Sequence, residues 1–185
     1  MKVKHPARVA AILGVCALLI SVLLSNINSY NKIEDACINE NNGDIAFAVH
    51  DPNDNGITLK VFDKNGMLKL ERFYSAKGNP AVYLMYDGDE LNLFIARTST
   101  LHVLDAAGNE ISRTQIEDRE TEELEELTSE LWEDFEQTSN KKTATHENVE
   151  YLYETTPIYR DLIGLGECKM NLKKPNGETV ELYRS

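Results

Sequence analysis

The sequence has few cysteines and few basic residues, and it has none of the common catalytic or nucleotide-binding motifs. Its 185 residues include three cysteines, with no C-x-x-C pair and no Cys/His spacing that would indicate a zinc site. Lys and Arg total 19 against 31 Asp and Glu, for a net charge of −12. This negative net charge argues against nucleic acid as a partner, because phosphate binding requires clustered Lys and Arg side chains. No P-loop, H-E-x-x-H or G-x-S-x-G spacing occurs, so a non-catalytic role is the expectation.

A long apolar run lies near the start of the chain, at residues 9–27. It contains no Asp, Glu, Lys or Arg, and its length is close to the roughly 20 residues of a membrane-spanning helix rather than the about 7–15 of a secretory signal. No small-residue cleavage site follows it, since the sequence continues SNINSYNK after Leu24. We therefore predict a retained transmembrane signal-anchor helix with the lipid bilayer as its partner. A cleaved signal is the alternative.

Charge next to the apolar run predicts its orientation. Lys2, Lys4 and Arg8 precede the run, whereas only Lys32 follows it closely. The positively charged flank of a membrane span stays in the cytoplasm. Residues 1–8 are then a cytoplasmic tail, and the rest of the chain is extracytoplasmic at the cell membrane. A tail of eight residues is too short to form a signalling domain. Transmission of a signal across the bilayer would therefore need a membrane-protein partner.

The remaining chain, residues 38–185, reads as one mainly β domain. Between 44 and 117, short apolar or alternating segments are separated by turn sequences such as KNG and AAGN. Two stretches, TLKVFDKNGML (58–68) and TLHVLDAAGNE (100–110), align without gaps at a spacing of 42 and share T-L-x-V-x-D-x-x-G. The end of the chain, CKMNLKKPNGETVELY (168–183), is a looser match. We expect an antiparallel meander built from repeated units.

With about four strands in each unit of about 40–45 residues, the body resembles the blades of β-propeller proteins. The resemblance covers 44–117 and, more loosely, 149–185. About three units fit, whereas a closed ring takes about 4–8 blades. The resemblance implies a binding scaffold and carries no catalytic residues with it. An open or rolled antiparallel sheet is the alternative.

An acidic stretch separates the second unit from the third. Residues 117–136 hold eleven acids and one base, Arg119. Large apolar residues recur within it at helical spacing, which predicts one acidic amphipathic helix over about 118–138, packed on the sheet. A docking face for a basic partner is the alternative, and residues 140–148 are expected to be an exposed linker. The apolar stripe consists of Leu124, Leu127, Leu131, Trp132 and Phe135.

One loop partly matches a calcium-binding pattern. In DPNDNG (51–56), Asp51, Asn53 and Asn55 precede a glycine as in the first half of a calcium loop. Position twelve of the pattern is Phe62, where a bidentate Glu is required. An ordinary tight turn is therefore expected, with calcium as the alternative. No other cofactor is expected.

An aromatic stretch, YLYETTPIYRD (151–161), is the candidate binding surface. It holds Tyr151, Tyr153 and Tyr159 beside Arg160. On a strand, Tyr151 and Tyr153 share one face. These residues could bind a glycan or a peptide, or the tyrosines could form a half-buried strand face whose hydroxyls reach water.

Two cysteines, Cys37 and Cys168, lie outside the apolar run. In an oxidising compartment they could form a disulfide. The alternative is two separate buried thiols that behave as small apolar residues.

Together these patterns predict a membrane-anchored extracytoplasmic binding or accessory protein. The alternative from another class is a secreted or tethered hydrolase with its site between the sheet and the acidic helix. Such a site would need carboxylates with separated pKa values. Asp87, Glu130 and Asp134 are residues of that kind.

Overall fold

The computed structural model of the chain describes residues 31–51, 55–76, 78, 81–116, 141–160 and 165–185. The predicted membrane helix at 9–27 and the predicted acidic helix at 118–138 lie outside these residues. No helix in the described part is long and apolar enough to cross a bilayer. Besides a short 3-10 turn at Ala96–Thr98, the described part forms β1 Lys32–Ile38, β2 Ile45–Asp51, β3 Gly56–Phe62, β4 Leu68–Ser75, β5 Val82–Asp87, β6 Glu90–Ile95, β7 Thr100–Leu104, β8 Glu110–Gln115, β9 Lys141–His146, β10 Val149–Arg160, β11 Leu165–Lys173 and β12 Thr179–Arg184.

The described strands form three four-stranded antiparallel sheets. The first sheet contains β1 to β4, the second β5 to β8 and the third β9 to β12, and in each sheet every strand pairs with the next one along the chain. The prediction of a mainly β, antiparallel meander is therefore confirmed. Because each pairing is local, short turns are sufficient to connect the strands.

The first sheet is the middle layer of the three. One face of β2, formed by Ala46 and Ala48, contributes to a core shared with the second sheet. The other face, formed by Ile45, Phe47 and Val49, contributes to a core shared with the third sheet. Successive side chains of a strand point to opposite faces. Burial on both faces explains why residues 45–49 of β2 are all apolar and do not alternate with polar residues.

The 42-residue repeat is the third strand and following turn of the first two sheets. The Asp63 carboxylate accepts hydrogen bonds from the N–H groups of Asn65 and Met67 at 2.9 and 2.8 Å. The Asp105 carboxylate accepts the equivalent bonds from Ala107 and Asn109 at 2.9 and 2.8 Å. The glycine that completes each turn has a positive φ, 89° at position 66 and 81° at position 108, which glycine adopts without steric cost.

Two segments that the sequence did not predict as strands are strands. β1 begins at Lys32, before the expected start of the body at 38. It carries the buried Asp35 directly after a bulge that interrupts its alternation. β9 occupies most of the stretch expected to be an exposed linker, so that prediction is wrong. In β9, Ala144 packs in the core. One small apolar residue among polar ones gives almost no strand pattern, and pairing with β10 defines the strand.

The turn at Gly66 offers a test of how closely the first and third sheets pack. A Cβ at Gly66 would lie 2.7 Å from Val180 Cγ1, whereas one at Gly177, in the corresponding turn of the third sheet, meets nothing within 4 Å. Both glycines have nearly the same positive φ, 89° and 86°. Gly66→Ala and Gly177→Ala should share a conformational cost of about 1–2 kcal/mol.

Gly66→Ala should lose a further 1–3 kcal/mol, roughly the cost of overpacking. Urea or thermal unfolding of the two variants measures that difference. Equal losses would show that the turn of the first sheet does not pack against β12 as described.

Candidate functional site

A small cavity lies between the first and second sheets, where four hairpin turns meet. Its volume is about 80 Å³. Ligand pockets for drug-sized molecules have about 300–1,000 Å³, so this one is large enough for a few waters or one small polar group. Its lining consists of Asn39, Asn42, Asp44, Val61, Lys69, Leu70, Tyr86, Asp89, Leu91, Leu104, Asp105, Ala106, Ala107 and Gly108.

An ion pair between Asp44 and Lys69 forms one wall of the cavity. Asp44 is buried, and its N–H donates to the Asn42 side-chain oxygen at 2.8 Å. Lys69 lies in β4 at a bulge, between Leu68, which pairs with Phe62, and Leu70, which pairs with Val61. A buried carboxylate is tolerated when a cation pairs with it. The pair therefore neutralises Asp44.

Asp89 brings a second carboxylate to the cavity from the β5–β6 turn. Its Oδ1 accepts hydrogen bonds from the side-chain amides of Asn39 at 3.3 Å and Asn41 at 3.4 Å. These bonds connect the β1–β2 turn of the first sheet to the second sheet. Gly88, with φ of 59°, allows the tight turn that carries Asp89. Asp89 itself is exposed, so its carboxylate is accessible from solvent.

Tyr86 contributes a neutral hydroxyl to the lining. Burial raises the pKa of Tyr86, and Cys37 and Asp44 raise it further. The phenol therefore stays protonated at physiological pH and offers a hydrogen-bond donor and acceptor rather than a phenolate. Asp105 behaves in the opposite way, since hydrogen bonds from the side chain and backbone of Asn109 lower the pKa of its carboxyl group.

The lining determines what the cavity can do. It contains three carboxylates and one ammonium group, so it attracts a cation. It contains no Ser, Thr, Cys or His, so a hydroxyl or thiol nucleophile beside a histidine base is absent from the lining. The arrangement suits recognition of a small positively charged group.

The third sheet holds the cavity in place through Tyr153. Tyr153 is 1% exposed, and its hydroxyl donates to the Gly43 carbonyl at 2.6 Å. Gly43 precedes Asp44 in the β1–β2 turn. Tyr153 and Tyr151 pack in the core between the first and third sheets. The first sheet covers that face of β10, so Tyr153 is buried while Tyr151 stays half-exposed, and a binding role for the aromatic stretch stays a prediction. The side chains of Tyr159 and Arg160 lie outside the described part.

The calcium-loop residues connect two strands of a hairpin. Asp51 ends β2 and pairs with Gly56 of β3, Asn55 has a left-handed φ of 51°, and Asn53 lies outside the described residues. Phe62, at position twelve, stacks on Phe47 in the core and supplies no ligand atom. No group of three or more metal-binding side chains occurs in the described ranges. A calcium ion at this loop stays a prediction.

No disulfide joins Cys37 and Cys168. Cys37 packs against the core between the first and second sheets. The Cys168 thiol lies beside the backbone of Ile33 on the other side of β1, where burial raises its pKa. The first sheet thus separates the two thiols, and both cysteines are reduced.

The three carboxylates suggested for a hydrolase stay a prediction. Asp87 is exposed at the end of β5, and Glu130 and Asp134 lie outside the described residues. The cavity carboxylates were not predicted from the sequence. Their only sequence signal is that Asp44, Asp89 and Asp105 all lie in or beside turns that end strands.

No known protein-family model matches this chain, and no curated protein sequence is significantly similar to it.

Tyr153→Phe tests whether the third sheet supports the turn that lines the cavity. The variant leaves the buried Gly43 carbonyl without its donor, which should cost about 1–3 kcal/mol of unfolding free energy. Tyr151→Phe is the matched control, because Tyr151 is half-buried in the same strand and core, and it should cost clearly less. Denaturant unfolding measures both, and equal losses would contradict the role of the Tyr153 hydroxyl.

Proposed function

We propose that the chain is a membrane-anchored extracytoplasmic binding protein without catalytic activity. In this proposal the cavity between the first and second sheets receives the cationic end of a Lys or Arg side chain from a partner protein. The observation that carries the proposal is the lining of the cavity, which holds three carboxylates against one ammonium group.

Charge explains why the cavity would select a cation. The Lys69 ammonium group already pairs with Asp44. The lining contains no second cationic side chain that could pair with the carboxylates of Asp89 and Asp105. The amides of Asn39 and Asn41 both donate to the Asp89 carboxylate and so hold it in one orientation. Hydrogen bonds between a carboxylate and a cationic nitrogen are about twice as strong as neutral ones.

The scaffold explains why the geometry would be stable enough for recognition. The lining comes from turns whose strands are fixed in two packed sheets, and binding residues are commonly carried on turns held by a rigid framework. The resemblance to β-propeller blades is consistent with a binding role, although a fold alone does not define a function.

Geometry relates the cavity to the predicted membrane anchor. Residues 28–31 separate the anchor at 9–27 from β1, and four residues span at most about 14 Å. β1 begins at Lys32 and ends at Ile38, next to the turn that lines the cavity. Seven residues of strand extend about 23 Å. The cavity would then open at the end of the body that is farther from the membrane, where a partner can reach it.

Cysteine labelling in sealed cells tests the topology. In a full chain whose own cysteines are changed to alanine, Pro175→Cys, in an exposed turn of the third sheet, should react with a membrane-impermeant maleimide. Val3→Cys, before the apolar run, should react only after lysis. Protection of position 175 until lysis would show that the body is not extracytoplasmic.

Binding of N-acetyl-arginine amide tests the cavity itself. The full chain in lipid nanodiscs should show saturable NMR shifts of the Asn41 and Gly108 amides with this probe, and none with the neutral N-acetyl-citrulline amide. Asp89→Asn should weaken binding about tenfold or more, since a hydrogen bond to a charged group contributes about 1.5–3 kcal/mol.

Glu178→Gln is the control for this binding experiment. It removes an exposed carboxylate from a turn of the third sheet, so affinity should be unchanged. Equal responses to the arginine and citrulline probes, or an unaltered affinity of Asp89→Asn, would refute recognition of a cation at the cavity.

A further inference from the structure

A β-bulge places Lys69 at the cavity. In a regular strand, neighbouring side chains point to opposite faces, so Lys69 would point away from Leu70, which packs against the core shared by the first and second sheets. The bulge adds Lys69 as an extra residue between Leu68 and Leu70, and bulges re-aim side chains in this way. The Lys69 ammonium group thereby lines the cavity and pairs with Asp44.

The bulge itself does not require a lysine. β8 has a register shift at the corresponding place, next to Leu104, and its extra residue is Ile111, which lies at the repeat spacing from Lys69. Ile111 is exposed and does not line the cavity. The same backbone geometry therefore carries a neutral side chain in the second sheet, and the positive charge of Lys69 is explained by its contact with Asp44.

The two partners of this ion pair differ in how firmly they are held. The Asp44 side chain is 9% exposed, whereas that of Lys69 is 39% exposed. The Asp44 backbone is fixed on both sides, since its N–H donates to the Asn42 side chain and its carbonyl accepts from the Asn39 N–H, each at 2.8 Å. Lysine has a flexible four-carbon stem, and its ammonium group is strongly hydrated in solvent. The carboxylate is therefore a fixed site, and the ammonium group is a removable occupant.

This pair can open only by exchange of one cation for another. A buried carboxylate that is left without a cation is strongly destabilised, so another positive group must take the place of Lys69 when it leaves Asp44. A neutral group cannot replace it. Asp89 and Asp105 are two further carboxylates in the lining that can bond to an incoming cation.

We propose that the Lys69 ammonium group is an internal competitor, which an incoming Lys or Arg side chain displaces from Asp44. This inference rests on the proposed function of the cavity. The apparent affinity of any cation is then reduced by the fraction of molecules in which the Lys69–Asp44 pair is open. A cation that also bonds to Asp89 and Asp105 overcomes this reduction. The contact is autoinhibitory, and it makes the cavity selective for a partner that reaches several carboxylates at once.

Substitution of Lys69 tests the competition. Lys69→Met keeps the carbon stem and deletes the ammonium group, so Asp44 becomes available to the N-acetyl-arginine amide probe. The full chain in lipid nanodiscs should then bind the probe about tenfold or more tightly than the wild type, the effect of one hydrogen bond to a charged group. Lys69→Arg should bind it more weakly than the wild type, because a guanidinium group pairs with a carboxylate through two parallel bonds. NMR shifts of the Asn41 and Gly108 amides measure both affinities.

Lys64→Met is the matched control. Lys64 lies in the β3–β4 turn at the same end of the first sheet and pairs with the exposed Glu147 at 3.4 Å. It does not line the cavity. Its substitution changes the net charge by the same amount as Lys69→Met, so the affinity for the probe should change much less.

Asp44→Asn separates displacement from simple repulsion. If Lys69 only repels the probe from a neighbouring position, deletion of its ammonium group raises the affinity whether or not Asp44 is charged. If Lys69 occupies Asp44, the gain should disappear when Lys69→Met is added to Asp44→Asn, as a double-mutant cycle measures. The double variant leaves no unpaired charge at this position and should fold.

The Lys69 side chain of the wild-type protein gives a second measurement. Its Cε resonance should shift during titration with the arginine probe, as the ammonium group moves from the carboxylate to solvent. It should not shift with N-acetyl-citrulline amide. This resonance and Lys69→Arg decide the test if Lys69→Met does not fold.

The outcomes separate this inference from the proposed function. If the wild type binds the arginine probe and folded Lys69→Met binds it equally well, Lys69 is not a competitor, although recognition of a cation stands. A gain that Lys64→Met reproduces, or one that persists with Asp44→Asn, also overturns the inference. No arginine-specific binding in any variant, Lys69→Met included, overturns both. A gain that is specific to Lys69→Met and requires Asp44 supports displacement.

Discussion

Burial of the first sheet on both faces is the constraint on which the layered arrangement depends. Ala46 and Ala48 face the second sheet, while Ile45, Phe47 and Val49 face the third. Neither face of this sheet is suited to water, so both neighbouring sheets must be present for it to be stable. Each fully buried large apolar side chain contributes roughly 1.5–3 kcal/mol, and the two cores together hold the three meanders in one stack.

Hydrogen bonds between the sheets set their alignment. The buried Asp35 carboxylate accepts from the N–H of Ala36 at 2.7 Å and from that of Leu84, in the second sheet, at 2.6 Å. On the other side, Tyr153 of the third sheet donates to Gly43. Both contacts are directional, unlike apolar burial. Because they act from opposite sides on β1 and the turn that follows it, they fix the position of the cavity that this turn lines.

The sequence predicts the elements better than it predicts how they meet. Alternating segments and Gly turns predict most strands and the repeat, whereas they miss β1 because Asp35 lies within it, and β9 because Ala144 is its one apolar residue. The cavity depends on turns that approach only after the sheets stack. Asp44 and Lys69 lie 25 residues apart and meet in the folded chain. Tyr153 shows the same limit, since a strand period does not reveal which layer covers it.

The order of the layers differs from the order of the chain, because the third sheet packs on the first and not on the second. A ribosome releases residues 141–185 only after the other two sheets have emerged. Until then the side of β2 bearing Ile45, Phe47 and Val49 has no covering layer. During most of its synthesis the nascent chain therefore has an apolar sheet face that the third sheet does not yet cover.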